Sequence, residues 1–273
     1  EPNKFTVYTL EDKDVECTFR PNKFSAGTST VTLSATYNFA TSAYQKVYFI
    51  DRDRMRAMVR ESLDPFKEFG ITDKAPVTVH TNGPVEIAVS IQYLIPVSGD
   101  TSTTPALGIR LKSRDKILDK NNKPLGEWKG KIRKINELVV LFPKGITLNE
   151  DSCRPAKFKP YTSSDCSASC ESIVLLKCLQ SCDEFDNGCA SDCAEADKKC
   201  KEECVGLFKG EGSEENYNGY RLDVVELYQK SKDEFKDIES GRNTDFTCRI
   251  TPANDVLEKV PITTRFIRAR ARY

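Results

Sequence analysis

The sequence predicts a mainly β chain: two β-sandwich domains, with an antiparallel helical hairpin stapled by disulfides inserted in the second. Three observations carry this. Runs that alternate apolar and polar residues recur at intervals of about ten residues on both sides of a cysteine-rich segment, the spacing of short antiparallel strands joined by tight turns. Between Cys166 and Cys204, eight of the chain's 11 cysteines fall as four Cys-x-x-x-Cys units. The 273 residues are enough for two domains of ordinary size, each with its own core.

The first domain is expected over residues 1–72. Strand-like runs occupy Phe5 to Leu10, Val15 to Phe19, Ser29 to Phe39 and Lys46 to Ile50, separated by turn residues such as Pro21-Asn22 and Ala26-Gly27. The period then changes. Asp51 and Asp53 offer N-caps for a helix near 53–63 carrying Met55, Met58, Val59 and Leu63, which Asp64-Pro65 and Gly70 close.

The second domain is expected over 73–162 and 207–273. Pro76 to Thr81 and Val85 to Ile95 alternate on either side of Asn82-Gly83-Pro84, which predicts a hairpin or a sharp corner. Leu107 to Leu111, Gly130 to Ile135 and Glu137 to Phe142 follow as strands, and Pro143-Lys144-Gly145 as a turn. Beyond the cysteine-rich segment, Tyr220 to Ile238 reads as a short strand and a helix, and Phe246 to Ile250 and Ile262 to Tyr273 as strands. The last strand is two-faced: Ile267, Ala269, Ala271 and Tyr273 share one side, and Phe266, Arg268, Arg270 and Arg272 the other. The Arg row is expected to face water and discourage edge-to-edge pairing.

Residues 163–206 form the predicted insertion. Cysteines four apart share a helix face, and folding the segment at Asp183 to Gly188 brings Cys166 opposite Cys204, Cys170 opposite Cys200, Cys178 opposite Cys193, and Cys182 opposite Cys189. In the first helix Cys178 and Cys182 are rotated away from Cys166 and Cys170, so that helix bends or twists, or one pairing differs. Zinc is the rival use of such cysteines, but zinc sites favour two-residue spacings and often recruit His, and the single His80 is remote. Disulfides require an oxidising setting. Of the remaining cysteines, Cys153 is expected to pair with Cys248, leaving Cys17 as a buried free thiol or an intermolecular link. The second helix is charged outside, whereas the first carries Ile173, Leu175, Leu176 and Leu179, which need either the rest of the chain or a partner to cover them.

Lys+Arg and Asp+Glu both number 41, so no charge excess points to nucleic acid, an anionic membrane or an acidic substrate. No apolar run reaches the length of a spanning helix; Glu1 reads as a processed end, and a membrane enters only through an anchor removed from the chain. No hydrolase elbow, phosphate loop, dinucleotide fingerprint or paired-His metal motif occurs, and His80 sits in an alternating strand. Asp183 to Gly188 is no calcium loop, since Phe185 and Ala194 occupy ligand positions. The expectation is of no enzyme, cofactor or metal.

Val77-Thr78-Val79-His80-Thr81-Asn82-Gly83-Pro84-Val85, Leu141 to Leu148, Phe246 to Ile250 and Pro261 to Phe266 together resemble predicted cell-surface proteins of small-genome (DPANN-type) archaea. That resemblance implies immunoglobulin-like sandwiches on exported or tethered chains without enzymatic activity, and transfers no functional residues. The 163–206 segment resembles the disulfide-stapled helical hairpins of plant defence peptides and venom toxins and, more loosely, the twin Cys-x-x-x-Cys proteins of the mitochondrial intermembrane space. The expected function is that of an extracellular or cell-surface structural or adhesive protein, a homo-oligomer such as a filament or surface-layer subunit, with the strand-like termini and the hairpin as contacts. The alternative is a receptor-like or inhibitor-like module that recognises a protein through its hairpin.

Overall fold

The computed structural model describes residues 28, 39–98, 104–114, 116–118, 124–127, 135–171, 175, 179, 187–209, 217–224 and 243–273. The chain divides into two compact units, Glu1–Tyr37 and Asn38–Tyr273. Of the first, only Thr28 is described, so the strands expected up to Phe19 lie outside the described residues, as do most of those expected at 29–39 and 130–135 and the helix expected after Val224.

The second unit is mainly β and built on two sheets. The larger has seven strands, ordered β10 (Phe158–Tyr161), β11 (Tyr217–Leu222), β8 (Glu137–Pro143), β13 (Ile262–Arg272), β1 (Ala40–Asp51) and β2 (Val79–His80), with β4 (Leu94–Val97) parallel to the far end of β1. The smaller runs β3 (Val85–Ile91), β5 (Ala106–Ser113), β12 (Asn243–Pro252) and β9 (Ile146–Arg154), all antiparallel. A separate pair joins β6 (Lys116–Leu118) to β7 (Pro124–Glu127). Inward residues of both sheets merge in one core that includes Phe49, Ile87, Ile109, Phe142, Phe246 and Ile267. Phe158 of the larger sheet meets Phe246 of the smaller edge-on, ring centroids 6.0 Å apart. The chain changes sheets at tight corners: Asn82-Gly83 separates β2 from β3, and Lys144-Gly145 separates β8 from β9, with Gly145 at φ 86° where a side chain would be strained.

The outer face of the larger sheet is covered at its β1 end by α1 (Arg52–Arg60) and α2 (Pro65–Glu68). Asp51 caps α1 by accepting from the Arg54 amide at 2.8 Å, and Asp64 caps α2 with Pro65 in its first turn. Met58 packs with Tyr48, Ile50 and Leu94, which is why β1 is buried on both faces from Val47 to Ile50.

Three features depart from the sequence reading. A domain boundary at 72 does not describe the chain, because β1 is paired with β13 from Ala40 opposite Arg272 to Ile50 opposite Ile262, and the compact unit starts at Asn38. The C-terminal strand is no free contact element: β8 and β1 occupy its two edges. The run Val85 to Ile95 is broken at Gln92-Tyr93, where the chain passes from β3 in one sheet to β4 in the other.

Candidate functional site

Cys153 on β9 and Cys248 on β12 form a disulfide, both buried, where the register between the two strands shifts between Thr247 and Arg249. The bond ties neighbouring strands across a bulge at which ladder hydrogen bonds are missing.

Two further disulfides link α3 (Ser163–Cys170) to α4 (Asn187–Phe208). Cys166 bonds Cys204 and Cys170 bonds Cys200, so the helices run antiparallel. A capping box starts α3: the Asp165 amide donates to Thr162 Oγ1, and the Thr162 amide donates to the Asp165 carboxylate. Hydrogen bonds from the Thr162 hydroxyl and amide hold that carboxyl below its ordinary pKa. Just past α3, Glu171 and Leu175 are π-helical, a wider turn than that of an α-helix. Cys189 and Cys193 are also disulfide-bonded. Cys178, Cys182, Cys17, Ile173 and Leu176 lie outside the described residues, while Leu175 is half-buried and Leu179 is 41% exposed. These disulfides fit an oxidising, extracellular-type setting, and among the described residues no helix is long and apolar enough to cross a membrane.

The helix pair rests on the larger sheet by its cysteine face. Cys166, Cys170 and Cys204 pack with Val139, Leu141, Tyr161 and Tyr217, joined by Leu207 and Phe208 at the end of α4. The Arg row of β13 completes the contact instead of facing water. Arg270 forms a 3.0 Å ion pair with Glu203 of α4 and is 14% exposed, and Arg268 donates to the Lys209 carbonyl at 3.1 Å. The Arg268 guanidinium lies 4.4 Å from the centre of the Tyr217 ring, and that of Arg221 4.9 Å from the Tyr161 ring. Tyr161 donates its hydroxyl to Glu137 at 3.0 Å; burial first, and the Glu137 carboxylate second, push its pKa up to about 12.

Between the end of α4 and β2, the sheet is left open as a cleft of about 630 Å³. Leu141, Tyr217, Tyr44 and Phe266 contribute to its floor, Gly206 and Leu207 one wall, and Val79 to Thr81 the other, with Arg268 and Arg270 also lining it. Tyr44 and Phe266 meet edge-on at 5.8 Å. His80 accepts from Arg114 at Nε2, so its Nδ1 carries the proton that faces the Thr81 carbonyl. The described lining thus supplies aromatic surface, guanidinium groups and the His80 imidazole, with no carboxylate or thiol among the described lining residues. Tyr44, Val79 and Phe266 were not foreseen as site residues. The alternation of β1 and β13 puts Tyr44 and Phe266 on outer faces, but only the pairing of these strands makes them neighbours.

No protein-family model, no curated protein and no solved structure matches this chain.

Proposed function

We propose that this chain is a non-enzymatic extracellular or cell-surface protein that acts structurally or adhesively, through contacts between copies of itself. One observation carries the reading. Tyr44 and Val79 are cross-strand partners in β1 and β2, both are more than two-fifths exposed, and Val77, two residues earlier, is 76% exposed. They make an apolar rim beside the cleft, on the two-residue strand that ends the larger sheet. Covering such a rim with a second copy removes apolar area from water at an edge where strand pairing is available. The reading takes the two sheets as an immunoglobulin-like sandwich and 163–206 as a hairpin inserted in it, in keeping with the resemblance to archaeal surface proteins.

A second reading, partner recognition through the helix pair, is supported by exposed Leu179 and Val205. Light scattering across a concentration series separates them. Wild type is expected to associate and a Val77→Lys/Val79→Lys variant to remain monomeric. Wild type that stays monomeric at high concentration overturns homotypic assembly; association abolished by Leu179→Ser/Val205→Ser and untouched by the lysines transfers the contact to the helices.

A further inference from the structure

The disulfides of the helix pair are stacked side by side. Cys170 Sγ is bonded to Cys200, yet lies 3.4 Å from Cys204 Sγ, which is bonded to Cys166. The sulfurs of Cys170, Cys200 and Cys204 all fall within 4.8 Å of one another. A tetrahedral tetrathiolate zinc centre, with zinc–sulfur bonds of about 2.3 Å, has sulfur–sulfur edges of about 3.8 Å. The 3.4 Å contact between the two bridges is therefore close to one such edge, and three of the four sulfurs already form one group, with Cys166 outside it. Forming the centre parts each bonded pair by roughly 2 Å and draws the Cys166 sulfur in toward the other three, both by side-chain rotation.

The surroundings suit such a centre. Cys166, Cys170 and Cys204 are 4% exposed or less and walled by Val139, Leu141 and Tyr161, while Cys200 is partly buried, so a bound ion would be screened from water on the side of the sheet. The three-residue spacing, unlike that of short zinc loops, aims both sulfurs of each unit across one helix face at the facing helix. Arg221 donates to Ser169, the residue before Cys170, and lies over the ring of Tyr161, which packs with Cys166, Cys170 and Cys204, so one positive charge stands on the side of the helix pair where a tetrathiolate would add negative charge.

We propose that Cys166, Cys170, Cys200 and Cys204, when reduced, form a site for one thiophilic divalent cation of the zinc class, so that the same helix pair is cross-linked by two disulfides or by one ion according to redox state. In the conversion each disulfide takes up two electrons and two protons to give two thiols. With a phosphine as reductant, phosphorus supplies the electrons and is oxidised to its oxide with an oxygen from water. The cation then displaces four protons and leaves a centre of net charge −2. The proposal is independent of the homotypic-assembly reading.

The test uses the full chain, reduced anaerobically with a water-soluble phosphine, desalted and titrated with Co(II). Wild type is expected to show thiolate-to-cobalt charge transfer and the intense visible bands of tetrahedral cobalt, both lost when Zn(II) is added. Cys170→Ser/Cys204→Ser should bind one equivalent fewer, and Cys189→Ser/Cys193→Ser should keep this site. Because serine variants could lose the ion by losing the helices, Cys166→His is measured too: an imidazole in the ligand set shifts the cobalt bands, and an unshifted spectrum overturns the assignment. Equal uptake by wild type and Cys170→Ser/Cys204→Ser, or uptake without thiolate absorption, also overturns it.

Discussion

Arg268 sits over the ring of Tyr217, its guanidinium carbon 4.4 Å from the ring centre, while the same group donates to the Lys209 carbonyl just beyond α4. One side chain on β13 thus holds a strand of the sheet and the end of the helix pair together. The packed guanidinium is worth about 1 kcal/mol as a cation–π contact. Arg268→Ala should lower stability by about that amount and make residues 187–209 more sensitive to limited proteolysis. Arg268→Lys should recover little, because an ammonium can neither stack as a plane nor keep the same hydrogen bond from that position. Chemical denaturation with a proteolysis time course checks both.

At Gly219 on β11 the end of the helix pair and the sheet approach closely. A Cβ there would fall 2.5 Å from the Tyr161 carbonyl oxygen on β10 and 2.6 Å from the Phe208 ring of α4. Backbone cannot retreat as a side-chain tip can, so Gly219→Ala should cost about 1–3 kcal/mol by overpacking. Hydrogen exchange should show the loss at β10 and α4 and leave β12 protected.

The Cys153–Cys248 disulfide joins residues 95 apart in sequence. In the chain-entropy account its removal frees a long loop in the unfolded state, and Cys153→Ala/Cys248→Ala should cost about 2–5 kcal/mol. The midpoint of urea unfolding reads this, with the far-ultraviolet strand signal unchanged below the transition.

Tyr161 should make the fold sensitive to alkali. Its phenol is raised from an ordinary 10.0 to about 12 in the folded chain, chiefly by burial. Below 10.0 the group is neutral in both states and its contribution is fully present. Through the window between 10.0 and about 12 the unfolded chain ionises first, so stability falls as pH rises. Tyr161→Phe should flatten that part of the profile. Urea midpoints measured from about pH 9 to about pH 12 decide the matter.

Local chemistry was legible wherever one short stretch of sequence sufficed. The alternation of Ile267, Ala269, Ala271 and Tyr273 marks an inward face, and these residues are buried in the shared core. The caps at Asp51 and Asp64 start α1 and α2, where the change of period placed a single helix. By contrast β9 went unread. Asn149, Glu150 and Asp151 are poor strand formers, and the strand is held by pairing to β12 and by Cys153.

What the sequence by itself determined is the class of element at each such stretch, because period, capping and cysteine spacing act over a few residues. Only the tertiary structure decided which elements meet. The pairing of β1 with β13 joins chain separated by some two hundred residues and makes one unit of what reads locally as two domains. The same folding turns the Arg row from a solvent face into a seat for α4, through Glu203, Tyr217 and the Lys209 carbonyl. A row of arginines is compatible with water or with a carboxylate and an aromatic ring. The choice depends on what long-range burial brings to that face, and no local pattern encodes it.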